Sequence, residues 1–341
     1  MSLQSDVSIN VAKFDPANIS EQSHKLHEGI LAKYEVNPKW WEVGIAKFRQ
    51  MRLAGETAAV LYPLLPHALD IKIPSREPGR DIPCRLLYPV NRRTEEERRG
   101  IKGILLHIHG GGFVSGDERS FDFSSERHAE AADLAVISIG YRLAPEYPFP
   151  MPSNDCFDVA DYLVLNAEKE YGAPVKFICG ESAGATLVLL TIYDLLETHL
   201  DFAFSGVILN YGCYDLTQLP ASRNFTKPLS INNEIMNHFY NNYLPSHTSE
   251  QRKDPSVSAY YKDIQKFRGR LPKSLFTIGT EDPLLDDTIN MSVKWMMTGG
   301  DVVVKVYTGA PHGFNQFAGV LDEADQATED AKTFLLDCLK V

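Results

Sequence analysis

The chain has 341 residues, 44% hydrophobic and 23% charged, which suits a globular protein with a sizeable core, built as two domains or as one α/β unit with an added lid. A net charge of −11 with no extended basic patch argues against nucleic acid as a partner and favours neutral substrates over polyanionic ones. Cys84, Cys156, Cys179, Cys213 and Cys338 are scattered without CxxC spacing, so reduced and mostly buried thiols are expected rather than a disulfide frame or a zinc site.

The opening stretch, MSLQSDVSINVAKFDPANIS, has no basic segment followed by an apolar run, so no secretory signal is expected. SEQSHKLHEGILAKYEV and PKWWEVGIAKFRQMRLAGETAAVL space apolar residues at three and four, which makes the first seventy residues mainly helical. LDIKIPSREPGRDIPCRLLYPV reads as two strands joined by a polar turn, and the charge run NRRTEEERRG (91–100) as a solvated loop. Strands and helices then alternate. KGILLHIH is a strand, and SSERHAEAADL a helix with Ser124 or Ser125 as its cap. AVISIGY is a strand, and SNDCFDVADYLVLNAEKEYG a helix closed by Gly172. VKFICG, SAGATLVLLTIYDLLETHL and FSGVILNYG read as strand, helix and strand. SINNEIMNHFYNNYLPSH reads as irregular. SLFTIGTE, DTINMSVKWMMTGG, DVVVKVYTG and LDEADQATEDAKTFLLDCLKV complete the order as strand, helix, strand and terminal helix.

Continuous apolar strands between amphipathic helices predict an α/β fold, a mostly parallel central sheet covered by helices on both faces, with ligands at the carboxyl ends of the strands. The most apolar helix, residues 185–196, is interrupted by Asp194 and too short to span a bilayer, so no membrane span and a cytoplasmic location are expected.

Four signals fall at strand ends. Gly180-Glu181-Ser182-Ala183-Gly184 has the G-x-S-x-G form of a nucleophile held on a sharp strand-to-helix turn. His109 is followed by Gly110, Gly111 and Gly112, whose backbone N–H groups can approach a ligand with no Cβ in the way. With the N–H of Ala183 they can form an oxyanion hole; no Lys-Ser/Thr follows, as a phosphate loop would need. In GTEDPLLDD, Asp282 follows a strand, with Asp286 and Asp287 as rivals that also suit a helix start or, with Asp282, a metal cluster. In GAPHGF, His312 lies just past a strand in a tight loop, and His107 reads as packing. The chain order Ser182, Asp282, His312 is a workable order for nucleophile, acid and base.

HGGGF, YRLAPEYPFP, GESAG, DPLLDD and HGF together resemble the hormone-sensitive-lipase branch of the α/β-hydrolases, which includes bacterial family IV esterases and arylacetamide deacetylases. The resemblance covers roughly residues 75–341. It implies Ser182 as nucleophile, Asp282 as acid and His312 as base. Two of Gly110, Gly111 and Gly112 would join Ala183 in the oxyanion hole, and Tyr141, Arg142 and Glu146 would shape the adjoining loop. It also implies a helical cap from residues 1–70 and an insert at about 217–250 over a hydrolase domain of 71–341, with a homodimer fitting the family.

The expected activity is serine carboxylesterase chemistry on a small-molecule ester, through an acyl-enzyme, with neither cofactor nor metal. Trp40, Trp41, Phe48, Phe239, Tyr240 and Tyr243 at helical spacing read more as core than as pocket, and a capped pocket implies short-to-medium acyl chains. An amidase or deacetylase using the same residues is an alternative, as is a ligand-binding receptor on a hydrolase scaffold. Some plant receptors of that kind lack the catalytic His that is present here.

Overall fold

The computed structural model describes residue 5 and residues 8–57, 59–92 and 94–340. Residues 1–4, 6, 7 and 58 of the expected cap segment, Arg93 of the charge run and the final residue lie outside the described residues. Two short 3₁₀ turns precede helices α1 (Glu21–Val36), α2 (Trp40–Val43) and α3 (Ile45–Leu53). The hairpin β1 (Leu69–Pro74) and β2 (Asp81–Leu87) follows, then the one-turn helix α4 (Glu95–Arg98) inside the charge run. Next come β3 (Ile104–Ile108), α5 (Asp122–Ala132), β4 (Ala135–Ile139), α6 (Met151–Tyr171), β5 (Val175–Glu181), α7 (Ala183–Thr198) and β6 (Gly206–Asn210). The chain then forms α8 (Pro220–Asn224), α9 (Asn233–Tyr243), β7 (Ser274–Glu281), α10 (Leu285–Met296), β8 (Val302–Pro311) and α11 (Asp322–Cys338).

The eight strands form one sheet in the order β1-β2-β4-β3-β5-β6-β7-β8. β2 pairs antiparallel with β1 and with β4, and every other pairing is parallel. The expected α/β architecture is therefore present. Alternation along β5 serves two cores. Ile178 joins the larger one, with α6, α7 and α10, while Phe177 and Cys179 point to the face covered by α5 and α11. All five cysteines are buried and free. Among the described residues, no helix is long and apolar enough to cross a membrane.

Three local expectations need correction. SINNEIMNHFYNNYLPSH contains α9: Asn232 caps it by accepting the Ile235 N–H at 3.0 Å, and buried Ile235, Met236, Tyr240 and Tyr243 share one face. The asparagines that suggested irregular structure occupy the cap and the outer face. Neither Ser124 nor Ser125 caps α5, which starts at Asp122 after Phe121. The Asp122 carboxylate instead binds Arg85 of β2 at 2.8 and 3.1 Å, drawing the helix start back to that position. Finally, the first seventy residues do not act as one cap segment. The backbone oxygen of Lys13 accepts from Thr308, and His27 Nε2 donates to the Gly309 carbonyl at 2.8 Å, so the first part fastens on β8. Only the later part reaches over the carboxyl ends of the strands, and β1 already begins at Leu69.

Buried charge ties the sheet edge to its flanking helix. Asp155, fully buried on α6, receives Arg80 of the β1–β2 turn at 2.8 and 2.6 Å and Arg142 at 2.8 and 3.0 Å, and it also accepts the Arg142 N–H at 2.9 Å. Arg142 bonds Glu77 of the same turn as well. Removing the charge would leave two guanidinium groups without their shared partner, which costs about 3–5 kcal/mol. Asp155→Asn is expected to lower the unfolding free energy by that amount in urea denaturation.

Candidate active site

Ser182 sits between β5 and α7 with φ 54° and ψ −121°. A non-glycine residue is costly there, and the surrounding contacts hold it. A Cβ on Gly180 would lie 2.8 Å from the Ile108 carbonyl oxygen, and one on Gly184 would lie 2.0 Å from the same atom. The two glycines therefore let the Ser182 turn press against the end of β3. The Ser182 N–H donates to the Asn210 carbonyl at 2.9 Å, fastening the turn to β6 as well.

The structure brings together the three side chains singled out in the sequence. His312 Nε2 lies 2.9 Å from Ser182 Oγ, and His312 Nδ1 lies 2.9 Å from Asp282 Oδ2. The carboxylate accepts the Nδ1 proton, which leaves Nε2 as the acceptor for the serine hydroxyl. Asp282 is buried, and its Oδ1 accepts the Leu284 N–H at 2.8 Å. His312 is 6% exposed, with the Tyr211 ring edge-on at 4.9 Å.

Asp286 and Asp287 are employed elsewhere. Asp286 accepts the Ala221 N–H, and buried Asp287 accepts the N–H groups of Tyr214 and Asp215 at 2.7 and 2.8 Å. Both carboxylates thus hold the chain leaving β6 rather than meeting His312. Burial pushes the Asp287 carboxyl well above the usual range.

The glycine loop lies beside Ser182: a Cβ on Gly110 would stand 3.4 Å from Ser182 Cβ. The Gly110 carbonyl accepts from His109 Nδ1 at 2.8 Å, and the Gly111 carbonyl accepts from the N–H groups of Val114 and Ser115. In a trans peptide the C=O and N–H point in opposite directions. These two bonds therefore turn the Gly111 and Gly112 N–H groups the other way. Among the described residues, no backbone acceptor takes the N–H of Gly111, Gly112 or Ala183. Tyr141 secures the loop by donating to the His109 carbonyl at 2.8 Å and stacking on its ring. Burial holds the His109 imidazole down to about 4, so it is neutral in the folded protein. His107, expected as packing, lies between Ser138 Oγ at 2.8 Å and Oε2 of Glu181, the residue before Ser182, at 2.9 Å.

A cavity of about 290 Å³ opens over Ser182 and His312. Trp40, Trp41, Phe48 and Phe239 line it; Trp40 also belongs to the buried core, as Tyr240 and Tyr243 do, so the core expectation holds for three of the six rings and Trp41, Phe48 and Phe239 face the cavity instead. Trp40 stacks on Phe239 at 5.1 Å, joining the N-terminal helices to α9 across the top of the cavity. Arg49 of α3 binds Glu146 through two bonds of 3.0 and 2.9 Å and donates to the carbonyls of Val114 and Ala144. Glu146 thus shapes its loop through a partner invisible to sequence spacing. Asn210, Tyr211, Tyr62 and His128 also line the cavity and carried no motif.

A family model described as the α/β hydrolase fold matches residues 105–316. An esterase of Acinetobacter venetianus is 31% identical over 68% of this chain and 74% of its own length. An ethyl acetate hydrolase of Pseudomonas putida is 26% identical over 75% of this chain and 78% of its own. Among solved structures, an α/β hydrolase enzyme from the metagenome of Lake Arreo superposes with a TM-score of 0.83 at 21% identity, covering 95% of this chain and all of that one. An esterase of Pyrobaculum calidifontis does so with a TM-score of 0.76 at 22% identity, over 94% and 98% of the two chains.

Two outcomes follow from this geometry. Gly184→Ala drives a Cβ into the Ile108 carbonyl and is expected to cost about 3 kcal/mol or more, read from thermal unfolding. Burial also lowers the His128 imidazole to about 4. Between pH 6.5 and 4 the unfolded chain therefore binds more protons at His109 and His128 than the folded one, so stability falls as pH drops through that window. The melting temperature should decline there, and His128→Asn should reduce the slope.

Proposed function

The chain belongs to the α/β-hydrolase fold family, in its hormone-sensitive-lipase-like branch, and is a carboxylic ester hydrolase; from that premise we propose that it cleaves short-to-medium-chain acyl esters through Ser182, His312 and Asp282 by way of an acyl-enzyme. Ser182 Oγ attacks the ester carbonyl carbon while His312 Nε2 takes its proton. Asp282 holds the tautomer and stabilises the imidazolium. The N–H groups of Gly111, Gly112 and Ala183 receive the oxyanion; losing one such donor costs about 3–4 kcal/mol of transition-state stabilisation. His312 returns the proton to the departing alcohol. Water then attacks the acyl-enzyme carbonyl while Nε2 takes its proton; as the Ser182 Oγ–acyl bond breaks, Nε2 returns that proton to Oγ, releasing the acid and regenerating the serine hydroxyl.

The observation that carries this reading is the imidazole of His312 bridging Ser182 Oγ and Asp282 Oδ2 at 2.9 Å on each side. The aromatic wall from α2, α3 and α9 supports the limit on chain length, because it closes the cavity above the nucleophile. No step needs a cofactor, and the partner at the site is a small-molecule ester in a cytoplasmic enzyme.

p-Nitrophenyl esters from C2 to C12 test the proposal, with kcat/KM expected to peak at or below about C6. Ser182→Ala should lose about 10⁴-fold or more of the rate while staying folded, and retained turnover would remove this site from the chemistry. Asp282→Asn should lose about 10⁴-fold in kcat. Asp286→Asn should lose far less, and the reverse ranking would identify a different acid.

A further inference from the structure

Arg49 and Arg52 lie three residues apart on α3 but differ in what they touch. Arg49 is spent on Glu146 and two carbonyls. Arg52 forms no ion pair and no side-chain hydrogen bond among the described residues, yet it is only partly accessible and lines the cavity beside Gly110, Gly111, Ser115 and Ser120. Burial works against its charge, with Asp117 opposing that effect through space. Asp117 itself closes its own turn by accepting from Ser120 and from the Arg119 N–H. A guanidinium does not shed its proton in a protein, so an unpaired one in a largely apolar cavity is costly until an anion meets it.

The whole cavity points the same way. The chain carries 45 acidic against 34 basic residues. Among the described residues the cavity lining reverses that balance, with Lys39, Arg52 and Arg127 against Glu181. Glu181 is engaged by His107. Lys39 is held by the Tyr34 carbonyl and ring, and Arg127 by Thr328 and Asp325. Among the described residues, Arg52 is thus the lining cation left for a ligand.

We propose that Arg52 is a specificity-determining residue that receives a free carboxylate carried by the substrate in addition to its ester group. The planar guanidinium fork matches a carboxylate through two parallel N–H···O bonds. The inference rests on the esterase reading above and refines its substrate class, replacing the neutral substrates favoured by overall charge with esters anionic at one end.

Paired substrates that differ only in that charge provide the test: monoethyl adipate against ethyl hexanoate for the acyl side, and 4-acetoxybenzoate against 4-methylphenyl acetate for the alcohol side. The wild-type enzyme should favour the charged member of at least one pair in kcat/KM. Arg52→Met should lower that charged-to-neutral ratio by about tenfold or more, chiefly through KM, and Arg52→Lys should retain part of it. A preference for the neutral ester in both pairs, or ratios unmoved by Arg52→Met, would overturn the proposal. A wild-type preference for the neutral ester in both pairs overturns the proposal without any variant having to fold. Ser182→Ala should abolish turnover of all four esters. Turnover surviving there would remove the esterase site itself, a failure distinct from loss of the anion preference.

Discussion

Everything at the site depends on how closely β5 and its turn approach β3. Gly184 and Gly180 allow backbone to touch backbone where any side chain would collide with the Ile108 carbonyl. That contact, with the Ser182 N–H bonded to Asn210, holds the serine at a backbone conformation costing about 1–3 kcal/mol. The stored strain has a use. It lifts Oγ clear of the sheet edge, within 2.9 Å of an imidazole delivered from the end of β8. The parallel order of β3, β5, β6, β7 and β8 brings the glycine loop, the serine, the carboxylate and the imidazole to one edge although they span some two hundred residues of chain.

Around this fixed centre, charge does the fastening. Asp155 gathers the β1–β2 turn and the loop after β4, and Arg49 clamps α3 to the loop containing Glu146. Asp286 and Asp287 hold the chain entering the second part of the cavity roof. Asp155, Asp286 and Asp287 meet guanidinium or backbone N–H groups, so each orders a loop that apolar packing alone would leave loosely specified. Arg52 departs from this pattern, and that contrast draws attention to it.

Most of the sheet and the three side chains that meet at its edge were legible because their signals are local. Apolar runs mark the strands, Gly172 marks the end of α6, and G-x-S-x-G, HGGG and HGF mark positions where the backbone has few alternatives. The illegible parts depend on distant partners. α9 was hidden by asparagines whose role as cap and solvent-facing residues appears only once its apolar face is packed. Trp41, Phe48 and Phe239 share the period of core residues, and only tertiary placement turns them towards a cavity. The separation of residues 11–27 from the rest of the N-terminal segment reflects contacts with β8, some three hundred positions away. The choice among Asp282, Asp286 and Asp287 turned on which carboxylate meets an imidazole and which meet backbone N–H groups.

The central claim is that one hydroxyl has become nucleophilic because one imidazole can accept its proton. Diethyl p-nitrophenyl phosphate reacts with such a hydroxyl and reports its position by peptide mass spectrometry. The account predicts one diethylphosphoryl group per chain, on Ser182, forming in step with loss of esterase activity and at a rate greatly reduced in His312→Ala. Inactivation with the label on another residue, or full activity alongside a modified Ser182, would contradict it.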